Sequence, residues 1–263
     1  MTQATPLRLA HVSDLHVGAI EGNALTTLIT DLAEADVAAT VVTGDFTMRA
    51  RSHEFAAAAQ ALSAFPNPTV VVMGNHDVPL LNPLRRLTTP YDRFRATIAA
   101  DLDPVLDLPG ARIQGLSSMP RWRWKSGRIS DRQADLIRST FADAPDSTAR
   151  IVALHHPPSS DDLETIAGRG DLEEALVDAR VDIVLAGHTH VPLVNELTLR
   201  SEGRTHRVLE VIAGTATSHR TRGVPRSWWM LELTPGELQL FEHVGEGDVW
   251  RVTPPRTYAL NRH

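Results

Sequence analysis

Five polar clusters, each directly behind an apolar run, carry the side chains of this chain that could do chemistry. Ser13-Asp14-Leu15-His16 follows the run at 7–12. Residues two apart in extended backbone share a face, so Asp14 and His16 can address one ion. Thr43-Gly44-Asp45 follows Ala39-Thr40-Val41-Val42, where Gly44 permits a close backbone approach and Asp45 projects a carboxylate. Gly74-Asn75-His76-Asp77 follows 69–73 and crowds an amide, an imidazole and a carboxylate into one turn. Asn75 offers a neutral oxygen ligand. His76, its immediate neighbour, is better placed to face a substrate, with Asp77 holding the ring by a hydrogen bond that raises its basicity. His155-His156-Pro157-Pro158 follows 151–154. Adjacent strand residues face opposite sides, which predicts one ligand, His155, and a packed or supporting His156. Gly187-His188-Thr189-His190 follows 181–186 and again sets two imidazoles two residues apart.

Each cluster alone also reads as an ordinary turn or cap. Together they pool two Asp, one Asn and four His: Asp14, His16, Asp45, Asn75, His155, His188 and His190. Seven donors exceed what one tetrahedral ion takes. They suit two ions about 3.5–4 Å apart, bridged by a carboxylate and a water, and Asp45 with its two oxygens is the natural bridge.

The elements that must position these groups alternate between β-branched runs and helical stretches, which is an α/β pattern. Strands are predicted at 7–12, 38–43, 69–73, 111–116, 151–154, 181–186, 193–199, 207–213, 228–233 and 238–243. Helices are predicted at 23–35, at 52–65 with Ser52 as N-cap, from Ser130 with a capping box to Gln133, and at 171–179. The first half is βαβ-like, and the region from 193 onward is expected to be antiparallel. Residues 79–90, with Pro79, Pro83 and Pro90, read as an irregular loop, and 254–263 as a loosely packed tail. One domain over residues 1–263 is expected.

Composition narrows the function classes. There is no cysteine, which removes thiolate nucleophiles, disulfides and cysteine-based metal sites. A formal net charge of −6 argues against binding a nucleic-acid polymer. There is no apolar run long enough for a membrane span and no apolar leader before residue 7, so a cytoplasmic setting is expected.

The ordered blocks D-x-H, G-D, G-N-H-D, H-H-P-P and G-H-T-H over residues 14–190 resemble the calcineurin-like metallophosphoesterase family. Gly214-Thr215-Ala216-Thr217-Ser218 with Arg220 and Arg222, and Trp124-Lys125-Ser126-Gly127-Arg128-Ile129, resemble its bacterial branch that contains class III cyclic-nucleotide phosphodiesterases. The resemblance implies a four-layer sandwich of two mixed β-sheets flanked by helices. It implies that Asp14, His16 and His190 hold one divalent ion, that Asn75, His155 and His188 hold the other, and that Asp45 bridges them. His76 would lie beside the phosphate, oriented by Asp77, with Arg220 and Arg222 as candidate substrate contacts. Some members carry a Tyr ligand two or three residues after the bridging Asp. Here Thr47 and Met48 stand there, which argues against the purple acid-phosphatase variant.

The expected reaction is hydrolysis of a small phosphodiester, of cyclic-nucleotide or glycerophosphodiester type, by a metal-bridging hydroxide. The alternative is a phosphomonoesterase or pyrophosphohydrolase acting on nucleotides or lipid precursors. Mixed imidazole, carboxylate and amide donors suit Mn, Fe or Zn. A homo-oligomer is a further expectation. A non-catalytic scaffold would be expected to lack ligands, and none of the seven is missing. A nuclease would need a capping domain and a basic face that this chain does not have.

Overall fold

Strand alternation sorts the side chains of this protein into layers. Odd-numbered Leu9, Val41 and Ile151 lie in one buried cluster, while their neighbours Ala10, Val12 and Val42 lie in another and Val152 in a third. The computed structural model describes residues 5–159 and 166–260. In chain order the elements are β1 (Leu7–Val12), α1 (Ala24–Glu34), β2 (Ala39–Thr43), α2 (Ser52–Leu62), β3 (Thr69–Val72), α3 (Pro83–Thr88), α4 (Asp92–Thr97), β4 (Val105–Leu108), β5 (Ala111–Leu116) and α5 (Asp131–Phe141). They continue with β6 (Ala149–Leu154), α6 (Arg169–Asp178), β7 (Ile183–His190), β8 (Leu193–Ser201), β9 (Arg204–Gly214), β10 (Arg226–Thr234), β11 (Glu237–Glu246), β12 (Val249–Val252) and β13 (Arg256–Ala259).

Two mixed sheets result. One runs β12-β11-β10-β1-β2-β3, with β13 also paired to β11, and the other runs β4-β5-β6-β7-β9-β8. Strands β1, β2 and β3 are parallel, as are β5, β6, β7 and β9. The inner cluster takes Leu9, Val41, Trp229 and Leu231 from the first sheet and Ile113, Ile151, Ile183 and Val211 from the second. The outer face of the first sheet packs on Leu28 and Leu32 of α1 and Phe55 of α2. The outer face of the second packs on Ile137 of α5 and Leu176 of α6. These are the four layers expected, held by apolar burial worth about 1.5–3 kcal/mol per large side chain.

The strands and helices that lead into the site match the sequence reading closely, and four departures have local causes. Residues 79–90 include a helix, α3, because Asn82 caps it by accepting from Arg85 N at 2.9 Å and Pro83 occupies its first turn. The tail does not hang loose. Strand β13 pairs with β11, and Tyr258 and Leu260 pack on the inner core, while residues 261–263 lie outside the described residues. Strand β9 is parallel to β7, because the turn at Glu202-Gly203 reverses the chain and slots β9 between β7 and β8. Ser52 opens α2 without capping it. The first turn is instead closed by Glu54, which accepts from Arg49 N at 2.9 Å and Arg51 N at 3.1 Å.

Candidate metal centre

The parallel strands of both sheets end at one edge, and the polar clusters sit just past their carboxyl ends, except that His188 and His190 lie in the last residues of β7 itself. Backbone bonds join neighbouring strand ends there, Asp14 N to Gly44 O at 3.1 Å and His16 N to Asp45 O at 2.8 Å in the first sheet, and Gly187 N to His155 O at 3.0 Å in the second. Asp14, His16, Asp45, His188 and His190 all have positive φ, from 46° to 70°. Non-glycine residues enter that region at a cost of order 1–3 kcal/mol, and such strain gathers at functional sites. Asp14 and His16 therefore converge through left-handed backbone rather than through the pleat of a strand. Glycine provides the remaining space. A Cβ at position 74 would sit 2.1 Å from Asp45 Oδ1, and one at 187 would sit 1.8 Å from Ser13 Oγ and 2.6 Å from Asp14 Oδ2.

Two groups of donors result. In the first, His190 Nε2 lies 3.2 Å from Asp14 Oδ1, and His16 Nε2 lies 3.5 Å from Asp14 Oδ1, 3.0 Å from His190 Nε2 and 3.6 Å from Asp45 Oδ2. In the second, Asn75 Oδ1 lies 3.2 Å from His155 Nε2 and 3.1 Å from His188 Nδ1, those two nitrogens are 3.2 Å apart, and His155 Nε2 is 3.5 Å from Asp45 Oδ1. Donors about 2.0–2.2 Å from a shared cation stand about 3–3.5 Å from one another, so both groups have cation-sized centres. Asp14 Oδ1 is buried without a hydrogen-bond partner, as a ligand atom should be. The ring faces are set from behind. His155 Nδ1 donates to Thr43 O at 2.7 Å and His190 Nδ1 to Arg220 O at 2.6 Å, which leaves each Nε2 lone pair aimed inward. Asp14 Oδ2 is held by Ser13 Oγ at 2.6 Å and His188 N at 3.0 Å.

Over residues 7–192 the chain matches the model of the calcineurin-like phosphoesterase family. The chain belongs to that family. No curated protein matches it. Its fold is similar to that of a purple acid phosphatase isolated from yellow lupin (Lupinus luteus) seeds, at 14% identity and a TM-score of 0.73, covering 98% of this chain and 54% of that one. The chain thus spans about half the length of the lupin protein. It is also similar to Vacuolar Protein Sorting 29 from Cryptosporidium parvum, at 15% identity and a TM-score of 0.51, covering 97% of this chain and all of that one (100%). Vps29 of Chaetomium thermophilum is comparable, at 14% identity, a TM-score of 0.50 and coverage of 97% and 98%. These likenesses show the fold. Among the described residues no helix is long and apolar enough to cross a membrane.

In this calcineurin-like site the charges of the first group act on one another at close range. Burial alone would raise the Asp14 carboxyl, but the His190 and His16 rings outweigh it and hold it well below the usual carboxylate range. Burial likewise opposes a charge on His190, and the Asp14 carboxylate overrides it. His156 lies against His188, with ring centroids 4.6 Å apart, so the two adjacent histidines do not face opposite sides as expected. They sit past the end of β6, where the pleat no longer applies. What keeps His156 out of the donor set is its partners: Nε2 donates to Lys125 O at 2.6 Å and Nδ1 accepts from Ser118 Oγ at 2.8 Å.

The predicted Asp77–His76 hydrogen bond is replaced. Asp77 turns into the backbone, accepting from Thr47 N at 2.9 Å, Gly74 N at 3.0 Å and Phe46 N at 3.2 Å, and so ties the Asp45 loop to the Asn75 turn. The His76 ring is oriented instead by Met48 O, 2.8 Å from Nδ1. No sequence motif marks a backbone carbonyl as the partner. Burial lowers the His76 pKa against the pull of Asp45, and His76 Nε2 accepts from Arg220 Nη1 at 3.2 Å. Arg220 is thus brought to the site. Arg222 is exposed on the following turn at φ 52°, and no described contact joins it to the donors.

Proposed function

We propose that this protein hydrolyses small phosphodiesters at a two-ion centre. The observation that carries the reading is the Asp45 carboxylate, which offers Oδ2 to the first donor group and Oδ1 to the second. Asp14, His16 and His190 would hold one ion and Asn75, His155 and His188 the other, with Mn, Fe or Zn fitting the mixed donors. Bound there, divalent ions would supply an activated water and neutralise phosphate oxygens.

The chain's own groups then do the rest. Met48 O fixes the His76 ring, and an arriving phosphoryl group displaces the Arg220–His76 contact, so that the guanidinium takes a non-bridging oxygen. His76 stands beside the leaving oxygen, where it stabilises developing charge or returns a proton, worth about 10²–10⁴-fold. A diester carries one negative charge, which the one guanidinium at His76 matches. The likeness of the 124–129 and 214–222 segments to class III cyclic-nucleotide phosphodiesterases supports the same substrate class, and the lack of cysteine fits a reducing, cytoplasmic setting.

The test is a panel of esters assayed with Mn²⁺ on protein of measured metal content. Bis(p-nitrophenyl) phosphate should be cleaved faster than p-nitrophenyl phosphate. The reverse order would make the protein a monoesterase. His76→Ala should keep its metal and lose most turnover, and full activity in that variant would remove the role given to His76.

A further inference from the structure

Helix α3 is inside out. One of its two arginines, Arg86, is buried at 3% exposure, whereas Leu84 and Leu87, three residues apart on the other side, are 73% and 58% exposed. Leu81, just before the helix, is 76% exposed. The neighbouring 119–128 segment adds Trp122 at 58% and Trp124 at 52%. Arg86 clamps the two segments side by side. Its Nε donates to Arg121 O at 2.8 Å, Nη1 to Pro79 O at 3.2 Å and Nη2 to Arg123 O, and its guanidinium lies 4.7 Å from the centre of the Trp124 ring. Arg121 Nη1 answers with a bond to Leu87 O at 3.1 Å. A buried guanidinium is thus spent on holding three leucines and two indoles in water. An apolar group of that kind marks a contact surface rather than scattered exposure.

The charge around it selects the partner. Residues 79–95 and 119–128 carry eight Arg or Lys and a single acid, Asp92, in a chain of net charge −6. Below Trp122, Asp103 is already taken up by Arg132 at 2.8 Å and Gln133 at 3.0 Å. A second copy docked by a two-fold axis would set this cationic surface against itself. Exposed leucine and tryptophan bordered by arginine suits the headgroup–acyl boundary of a bilayer. We infer that this patch docks the protein on an anionic lipid surface, the leucines and indoles entering the boundary and the arginines meeting lipid phosphates. The inference goes beyond the phosphodiesterase reading and does not depend on it. If both hold, docking brings the metal centre to the bilayer, because Pro79 lies two residues past Asp77 and Lys125 O holds the His156 ring.

The experiment is co-flotation of the full chain with vesicles of phosphatidylcholine, with and without about a third phosphatidylglycerol. The protein should float with the anionic vesicles, less with neutral ones, and less again at high salt. Leu84→Glu with Leu87→Glu should abolish flotation, and Arg95→Gln or Arg128→Gln should weaken it roughly fivefold each. Brominated lipid in the anionic vesicles should quench the tryptophan emission of the unaltered protein, a readout that needs no variant to fold. Absence of flotation and quenching overturns the inference, as does equal binding to both vesicle types. A dimer in solution that the Leu84→Glu change splits would also overturn it, by assigning the patch to a second copy.

Discussion

The two donor groups share Asp45 and differ in almost everything else. The first has a second carboxylate, Asp14, and is buried throughout, and Asp14, His16 and His190 all stand on left-handed backbone. The second has a neutral amide in place of that carboxylate. Its only left-handed residue besides the shared Asp45 is His188, which is also partly exposed. More negative charge, less water and more stored backbone strain all lie on one side. On the proposed two-ion reading, the comparison teaches that the first group would retain a cation and the second would keep one where a substrate can reach it.

The largest effect should come from removing what the groups share. Asp45→Asn should release metal from both and reduce turnover by at least roughly 10³-fold, more than the 10–100-fold that loss of a supporting partner costs. Metal analysis and kinetics on one sample check it, and retention of both ions would break the comparison.

A paired experiment sharpens it. On titration with a chelator, Asn75→Ala should keep the tightly held metal and lose the labile one, whereas Asp14→Asn should lose the tight one, by more than about 100-fold in affinity. Identical release curves would mean that the charge difference between the groups does not govern retention.

A smaller change acts from behind one group only. Ser13→Ala removes the hydrogen bond to Asp14 Oδ2 and the one to Thr43 O at 3.1 Å. It should weaken the first group's affinity by roughly 10–100-fold and leave the second unchanged, as isothermal titration of stripped protein would show.

The last effect is on stability, and only a small part of it falls within the mildly acid range. His11 lies beneath the first group, 3.0 Å from Thr43 Oγ1, and burial holds its pKa down to about 3, although Asp14 pulls it up. The unfolded chain therefore binds this proton more readily. The stability His11 contributes is full above its ordinary 6.5 and is lost as the pH falls from there toward about 3, on the order of a few kcal/mol in total. His11→Gln should flatten the fall in Tm between neutral and mildly acid pH. An unchanged slope would mean that other groups set acid stability.

The donors were legible because each follows a short apolar run, and parallel strands end at a common edge. The sign of φ was not legible. Asp and His are admitted to left-handed backbone as single residues, and no spacing rule marks which ones will take it. Met48 O took the role expected of Asp77 because three backbone N–H groups outcompete a single imidazole for that carboxylate, and every residue has a carbonyl. Helix α3 was hidden by its prolines and by its reversed polarity, since a pattern that seeks leucines inside rejects a helix that displays them. Strand β13 was hidden because its residues are mostly exposed, so it lacks an apolar signal.

Residue 220 has two jobs in one amino acid. Its carbonyl fixes the ring of His190, a proposed metal ligand, while its guanidinium lies beside His76, where a phosphate would arrive. On that reading, catching a substrate and gripping a metal ion would be joined through one residue, and thermodynamic reciprocity would make the influence run both ways. An enzyme busy with substrate would surrender its ions more slowly than an idle one, so scarcity of metal would first disarm the copies with nothing to do.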